Sequence, residues 1–158
     1  MKRSDALAQL SRDHHQGLVV AQRLRRAEEP TAGSARNGFL AFWIEDGSRH
    51  FRLEEEILLP AFARHGSPQD EAVIRVLTEH VDLRRRAADI SADPEPPIEL
   101  LRELGERLHG HIRHEERTLF PLIEAALPDD ELVALATAME QAHSRGGRRD
   151  RGGSHRSE

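Results

Sequence analysis

The chain has 158 residues, a formal net charge of −5, a charged fraction of 32% and an aromatic fraction of 4%. This length predicts one domain with a single core, and the acidic balance gives no reason to expect a nucleic acid as a partner. Cysteine and tyrosine are absent, which excludes disulfides, thiolate-held iron–sulfur clusters, a cysteine nucleophile and a tyrosyl radical. Because no apolar run could span a membrane and the N-terminus lacks a signal-peptide block, we expect a soluble cytoplasmic protein without a membrane partner.

Four long amphipathic helices are predicted, each with apolar or small residues at alternating steps of three and four. The predicted inward positions are Leu7, Leu10, His14, Gly17, Ala21 and Leu24; Leu40, Trp43, Gly47, His50, Glu54, Ile57 and Ala61; Val73, Val76, His80, Leu83, Ala87 and Ile90; and Leu101, Leu104, Leu108, His111, Glu115, Thr118 and Leu122. Breaks are predicted over residues 29–37, 65–68 and 91–97, where glycine, proline and serine cluster. Four such helices with short connections predict an all-α, up-down-up-down four-helix bundle.

The C-terminal part of the chain predicts one further element. A short extra helix begins after Pro128 and carries Leu132, Leu135 and Met139 on one face. From Ser144 onward the sequence is rich in arginine and glycine and has no apolar content, which predicts disorder. We therefore expect a bundle over residues 1–143 and a disordered tail over residues 144–158.

Two histidine–glutamate pairs repeat in the same frame. His50 precedes Glu54 and His111 precedes Glu115 by four residues, and both pairs belong to a His-x-Arg-x-Glu-Glu stretch that is followed by a proline. On an α-helix, side chains four residues apart lie on one face, one turn from each other. Neutral imidazole and carboxylate are ligands that suit iron, manganese or zinc. One such pair is a weak signal, whereas two in matching frames predict a metal site built from both halves of the chain.

Only four of the ten histidines fall in register with the predicted inward positions. In the first helix the choice is between His14 and His15. The residues three, seven and ten positions after His14 are apolar or small, as they are after His80, whereas those after His15 include Gln22 and Arg25. We assign His14 to the inward face and keep His15 as the alternative.

Six inward residues form the predicted ligand set, because a buried carboxylate without a cation or other partner is costly. The set is His14, His50, Glu54, His80, His111 and Glu115. Six ligands are too many for one tetrahedral zinc. They suit two metals, each with two histidines, bridged by the two carboxylates; iron is the first choice, manganese the second, and zinc a further substitute.

Several other carboxylates flank this set. Glu55, Glu56 and Glu116 follow the predicted ligand glutamates and are interpreted as solvated surface or as acceptors for the ligand histidines. Asp13 and Glu79 precede the two lone histidines in matching positions. A role as acceptors for the ligand histidines is the alternative for them, but helix geometry is expected to turn them away from the inward face.

With these residues the chain resembles the hemerythrin-like, or HHE cation-binding, domain family over about residues 4–127. The resemblance rests on the order His … His-x-x-x-Glu … His … His-x-x-x-Glu and on the Leu-Phe-Pro at residues 119–121. It implies a four-helix bundle with a carboxylate-bridged, oxo- or hydroxo-bridged non-haem di-iron centre. Oxygen-carrying hemerythrins resemble it less, because they have a further histidine where this chain has Arg84 and end in His-x-x-x-x-Asp. The pattern is closer to the four-histidine, two-glutamate branch, which is associated with iron or oxygen sensing, nitric-oxide response and iron–sulfur repair.

Three functions follow as hypotheses. We favour a non-enzymatic protein that binds a di-iron centre and senses, binds or sequesters iron, oxygen or nitric oxide, and we name no catalytic residue because no acid–base pair stands apart from the predicted ligands. The first alternative is a di-iron oxidoreductase that acts on oxygen, peroxide or nitric oxide, or in iron–sulfur repair. The second is a structural bundle with a vestigial site. For Arg84, we expect either a metal position left open to a small molecule or a side chain that reaches outward to water.

Overall fold

The computed structural model describes residues 2–149, with side chains through residue 146, and this part of the chain is an all-α bundle. Its five helical rods are α1 (Asp5–Arg25), α2 (29–62), α3 (Glu71–Ala92), α4 (98–126) and α5 (Asp129–Arg149). Rod α2 is α-helical over Glu29–Phe42, Ser48–Leu53 and Leu59–Phe62 and π-helical over Trp43–Gly47 and Glu54–Leu58; rod α4 is α-helical over Ile98–His114 and Phe120–Ala126 and π-helical over Glu115–Leu119. No helix within residues 2–149 combines the length and apolar character that crossing a bilayer requires.

The apolar core consists of two clusters with a polar layer between them. The first cluster includes Leu10 of α1 and Leu58 of α2, and the second includes Val20 of α1 and Phe39 of α2. The chain passes from the first cluster to the second along α1 and α3, and from the second to the first along α2 and α4. This alternation is the predicted up-down-up-down order, and the predicted histidines and glutamates lie where each rod crosses between the clusters.

Two glycines allow α1 and α4 to lie close together. A Cβ atom on Gly105 would lie 2.7 Å from the backbone nitrogen of Arg25 and 2.8 Å from the carbonyl oxygen of Ala21. A Cβ atom on Gly17 would lie 2.8 Å from Ile112 Cδ1. Because the two nearest atoms to Gly105 belong to the backbone and cannot rotate away as a side chain can, a larger residue there would push the two rods apart.

The prediction of a loop over residues 29–37 is wrong. Rod α2 begins at Glu29, directly after a short connection, and Pro30 lies in its first turn. A proline is compatible with that position because the first backbone N–H groups of a helix have no partner within the helix. The Thr31 hydroxyl accepts a hydrogen bond from the Glu28 N–H at 3.0 Å, which stabilises the helix start.

Three π turns shift the inward face of the composite rods by one residue each, because a π turn contains an additional residue. In two of them the N–H of Leu59 bonds to the carbonyl of Glu54, and the N–H of Phe120 bonds to that of Glu115. The sequence prediction assumed an unbroken α-helical period at both places. Leu58, Phe62, Leu119 and Ile123 are therefore fully or almost fully buried after the two glutamates. Of the positions predicted to face inward, Ile57, Ala61 and Leu122 are only partly buried, and Thr118 is exposed.

A proline accounts for two of these π turns. Pro60 and Pro121 come directly after the last π-type hydrogen bond in each rod. A proline has no N–H to donate, and in an α-helix its ring collides with the carbonyl four residues before it. A widened turn at this point relieves the collision, so the proline that follows each His-x-x-x-Glu pair helps to set the backbone at the glutamate.

The shifted register gives a stability prediction. Leu119 is fully buried, whereas Thr118 is exposed. Leu119→Ala should therefore destabilise the protein by about 2–5 kcal/mol because it leaves a cavity in the core. Thr118→Ala should change stability by less than about 0.5 kcal/mol. Urea denaturation of the two variants measures the difference, and a large loss for Thr118→Ala with a small one for Leu119→Ala would support an unbroken α-helix instead.

The extra C-terminal helix is longer than predicted. Rod α5 packs on α1 and α2 and continues past Ser144 to Arg149, so the disordered tail does not begin at residue 144. Gly146 lies against the side chain of Arg49, and this packing extends the helix through a segment whose glycines weaken helix formation. The rest of the predicted tail, residues 150–158, lies outside the described residues.

Candidate metal centre

All six predicted site residues meet in the polar layer between the two apolar clusters. Each is at most 4% exposed, and Glu54, His80 and Glu115 are fully buried. The lone histidines come from α1 and α3, and each His-x-x-x-Glu pair comes from α2 or α4. In both pairs the glutamate is the first residue of a π turn.

Glu115 lies at the centre of the cluster. Its Oε2 atom is 2.7 Å from His14 Nε2 and 4.0 Å from His50 Nε2. Its Oε1 atom is 3.0 Å from His111 Nε2 and 3.5 Å from His80 Nε2. One carboxylate oxygen therefore faces the histidines of α1 and α2, and the other faces those of α3 and α4.

Glu54 lies in the same buried space as Glu115. Its Oε1 atom is in close contact with His50 Nε2, and its Oε2 atom lies 3.7 Å from His80 Nε2. Glu54 thus also reaches one histidine from each half of the chain.

The atoms that converge here have no hydrogen bonds. The Nε2 atom of each of the four histidines and both oxygens of each glutamate are buried and lack a hydrogen-bond partner among the described residues. His14 Nε2 and Glu115 Oε2 are 2.7 Å apart but do not have the angles of a hydrogen bond, because both atoms point into a common space. Orphaned buried polar atoms are costly, and a cation in that space would satisfy all of them. The donor set therefore fits a metal centre.

These donors form two groups in which the ligand atoms lie within 4.8 Å of one another. One group contains His14, His50, Glu54 and Glu115, and the other contains His80, His111 and Glu115. Glu115 is common to both. The grouping divides the histidines into two pairs, as two neighbouring metal positions require.

The alternative histidine in α1 is placed differently. His15 is exposed, whereas His14 is 4% exposed and faces the cluster. Two further histidines within residues 2–149 make contacts outside the cluster. His65 pairs with Glu131, and His114 contacts the carbonyl of Ala72.

The lone histidines also face a carboxylate on their outer side. His14 Nδ1 lies 2.7 Å from Glu116 Oε1, and His80 Nδ1 lies 3.5 Å from Glu55 Oε1. Glu116 and Glu55 directly follow the two site glutamates. Glu116 therefore accepts from His14, whereas the Nδ1 atom of His80 lies near Glu55 but has no hydrogen-bond partner among the described residues. The acceptor interpretation thus holds for Glu116, and Glu56 is exposed, as the surface interpretation predicts.

The histidines of the two His-x-x-x-Glu pairs have outer carboxylates as well. His50 Nδ1 lies 3.2 Å from Asp13 Oδ2, and His111 Nδ1 lies 3.4 Å from Glu79 Oε1. The expectation that Asp13 and Glu79 turn away is wrong, because each lies on the flank of its own helix and reaches the histidine of the next one. Across the bundle, α1 supplies a carboxylate to α2, α2 to α3, α3 to α4 and α4 to α1.

Comparison with known families agrees with this arrangement. The model of the hemerythrin HHE cation-binding domain matches residues 5–95 and 76–149, two segments that together cover nearly the whole chain. The chain belongs to the hemerythrin HHE domain family. No curated protein and no solved structure gave a significant match. Membership of a cation-binding family, with the buried histidine and glutamate groups, makes this HHE bundle a metal-binding protein.

In the cluster of this HHE domain, the pKa of His111 and that of Glu54 are both raised. Burial lowers the pKa of His111, but the charge of Glu115, the hydrogen bond to Glu79 and the charge of Glu54 raise it to about 10. Burial and the charge of Glu115 raise the pKa of Glu54. On the outer side, burial raises the pKa of Glu116, but His14, Ser11 and Arg3 lower it to about 2. A metal that enters must displace the inner protons, because imidazole and carboxylate bind metals in their deprotonated forms.

Arg84 lies where oxygen-carrying hemerythrins have a further histidine. Its guanidinium donates to Glu55 at 2.7 Å and lies over the rings of Trp43 and Phe51, at 6.0 and 5.6 Å from their centres. The side chain is 34% exposed. Arg84 is thus held by Glu55 on the outer side of His80 and does not extend freely into water. Whether the metal position near it is open to a small molecule stays a prediction.

The outer carboxylates of the HHE domain give a prediction about affinity. Asp13→Asn keeps the size of the side chain but removes the negative charge beside His50 Nδ1. Loss of such a partner weakens metal binding by about 10–100-fold in known sites, and we expect a decrease in that range. Competition with a chromophoric chelator measures it. Asp89→Asn, at an exposed position in α3, serves as the control; equal affinities for the two variants would contradict a role for Asp13.

Proposed function

We propose that this HHE domain binds a carboxylate-bridged non-haem di-iron centre and uses it to sense, bind or sequester iron, oxygen or nitric oxide. The observation that supports the proposal best is the convergence of four histidine nitrogens and four carboxylate oxygens, all buried and all without hydrogen bonds among the described residues. His14 with His50 would bind one iron, and His80 with His111 the other. Glu115, together with Glu54, would bridge the two.

The donor chemistry favours iron. Two imidazoles per metal with shared carboxylates suit iron or manganese, and thiolates that would favour copper or zinc are absent from the sequence. Affinity alone does not select iron, so manganese and zinc are expected to bind the same positions as substitutes. A di-iron centre in this position would supply binding and redox chemistry toward oxygen, peroxide or nitric oxide.

A small apolar cavity adjoins the cluster and favours a diatomic ligand. Its volume is about 10 Å³, and its apolar wall consists of Phe42, Gly47, Phe51, Leu108 and Ile112. Asp13 and the histidines of α1, α2 and α4 form the polar side toward the cluster. This volume is close to the minimum that a water molecule needs. A cavity of this size suits a molecule of a few atoms, which supports a small ligand at this side of the cluster.

The chain itself determines the surroundings of such a ligand. Burial of the six site residues excludes bulk water, and the outer carboxylates orient each histidine with its Nε2 atom toward the cluster. Phe42 and Phe51 present apolar faces to the cavity, so a neutral diatomic molecule is preferred there to an ion.

The cavity gives a prediction about ligand access. Ile112→Ala should enlarge it and increase the rate at which nitric oxide perturbs the spectrum of the iron-loaded protein, while the iron content stays unchanged. Stopped-flow absorption measures the rate. Ile123→Ala is the matched control, because it removes an equally buried isoleucine from the other apolar cluster and should cost a similar 2–5 kcal/mol of stability. Equal rates for the two variants and the parent would place ligand access elsewhere.

The function is tested on protein reconstituted with iron and exposed in turn to oxygen, nitric oxide and peroxide. We expect a stoichiometric change in the optical spectrum with oxygen or nitric oxide that reverses when the gas is removed. Continuous consumption of peroxide or nitric oxide over many equivalents would support the oxidoreductase alternative. An iron-loaded protein that responds to none of them would contradict a role in binding these small molecules.

A further inference from the structure

The outer side of His14 carries an organised group of three other side chains. Arg3 donates to Glu116 Oε2 at 2.9 Å, and the other oxygen of Glu116 lies 2.7 Å from His14 Nδ1. Phe120 stacks on the imidazole, with 5.2 Å between the ring centres and 11° between the planes. The guanidinium of Arg3 lies over the same phenyl ring, 5.4 Å from its centre. His14 is thus fixed by a carboxylate at its edge and a ring on its face, and Arg3 contacts both.

The outer side of His80 carries the same four components. Arg84 donates to Glu55 Oε2 at 2.7 Å, and Glu55 Oε1 lies 3.5 Å from His80 Nδ1. Unlike the contact at His14, this one is a charge contact, because His80 Nδ1 has no hydrogen-bond partner among the described residues. Phe51 stacks on the imidazole at 3.8 Å with 5° between the planes, and Arg84 lies 5.6 Å from the centre of that ring.

The internal repeat accounts for the carboxylates but not for the arginines or the rings. Arg3 precedes α1, whereas Arg84 follows His80 within α3. Phe120 lies after the site glutamate of α4, whereas Phe51 lies before that of α2. The same arrangement is therefore built from different sequence positions in the two halves of the chain. It occurs at His14 and His80, the two site histidines that have no glutamate four residues later in their own helix.

The other two histidines are supported differently. Asp13, beside His50, accepts from the neutral amide of Gln9 at 3.0 Å. Glu79, beside His111, accepts from Arg75, whose side chain is 54% exposed. Both histidines also have a site glutamate one turn later in the same helix, which restrains them from the inner side.

We propose that Arg3 and Arg84 are positioning residues of the metal centre. Each fixes a carboxylate against the outer nitrogen of a lone histidine, so that the proton stays on Nδ1 and Nε2 faces the cluster. A guanidinium suits this role because it remains charged and donates in a planar fork. The inference rests on the proposed di-iron function, and it assigns one arginine to each metal position, because His14 and His80 belong to different ligand groups.

The test compares Arg3→Gln and Arg84→Gln with the conservative variants Arg3→Lys and Arg84→Lys. Iron(II) affinity is measured under anaerobic conditions by competition with a chromophoric chelator. We expect the glutamine variants to bind iron several-fold more weakly, below the roughly 10–100-fold loss caused by removing a direct partner of a ligand. The lysine variants should recover part of this loss because they retain the charge. Arg23→Gln and Arg85→Gln, at exposed positions, should match the parent.

Two further measurements separate positioning from general stability. The melting temperature of each metal-free variant reports the structural role of the arginine. Nitrogen-15 spectra of zinc-loaded, histidine-labelled protein report which ring nitrogen of His14 and His80 carries the proton. We expect the Nδ1–H signal of His14 to change in Arg3→Gln and that of His80 in Arg84→Gln.

Unchanged affinities and unchanged histidine signals in both glutamine variants would overturn the inference, as would a loss of affinity that follows the metal-free melting temperature and that lysine does not recover. Either result leaves the proposed function intact. A parent protein that binds no iron would instead contradict the proposed function, and the inference with it.

Discussion

Glu115→Gln is expected to abolish binding at both metal positions. Glu115 presents one oxygen to His14 and His50 and the other to His80 and His111, and it is the residue common to both ligand groups. A glutamine amide has one acceptor oxygen and no charge, so it cannot bridge two cations. Iron analysis after anaerobic reconstitution and gel filtration should therefore show loss of both irons rather than one.

Glu56→Gln provides the matched control, because Glu56 is an exposed carboxylate in the π turn of α2 that also contains Glu54. It should retain the iron content of the parent. Since Glu54 faces the histidines of both halves, Glu54→Gln is expected to behave like Glu115→Gln. If either site variant keeps one tightly bound iron, the assignment of that carboxylate as a bridge is wrong.

Removal of the metal should lower the melting temperature by roughly 10 °C. A ligand present at a thousand times its dissociation constant stabilises the folded state by about 4 kcal/mol, and for a chain of this size each kcal/mol corresponds to about 2–4 °C. The physical reason is the polar layer, since without a cation six buried residues keep converging polar atoms that lack hydrogen bonds among the described residues.

Calorimetry of the iron-loaded and the chelator-treated protein measures this difference. The Glu115→Gln variant is the control, because chelator should not change its melting temperature. Superimposable melting curves for loaded and metal-free parent protein would support the hypothesis of a structural bundle with a vestigial site.

The bundle and its six-residue cluster were predictable because both depend on helical periodicity. His14, His80 and the pair His50 and Glu54 fall in register with apolar neighbours, and an inward glutamate requires a partner whatever the surrounding fold. The structure brings these residues together as the pattern predicted. Their individual assignment as metal ligands stays a prediction.

The predictions that failed depend on features that periodicity does not contain. A π turn changes the period within one helix, so Leu58 and Leu119 are buried where Ile57 and Thr118 were expected. The prolines after both turns were the available signal, because a proline within a helix requires the turn before it to adjust. The helix past Ser144 depends on packing against α2, which a reading of local composition cannot detect.

The prediction for the outer carboxylates Asp13 and Glu79 was wrong for a geometric reason. Whether Asp13 and Glu79 face the site was judged from their own helices, whereas each reaches the histidine of a neighbouring helix. The signal was present in the sequence, since an acidic residue adjoins both lone histidines and both site glutamates. Arg3 gave no such signal, because it precedes the first helix and reaches Glu116 only in the folded bundle.

The most direct test of the di-iron proposal is iron-57 Mössbauer spectroscopy of the reconstituted parent protein, combined with its iron content. We predict about two irons per chain, the number that a carboxylate-bridged pair in a helical bundle requires. In the oxidised state the pair should give a diamagnetic spectrum through coupling of the two irons. A single iron per chain with a paramagnetic spectrum, or no retained iron, would contradict the proposal.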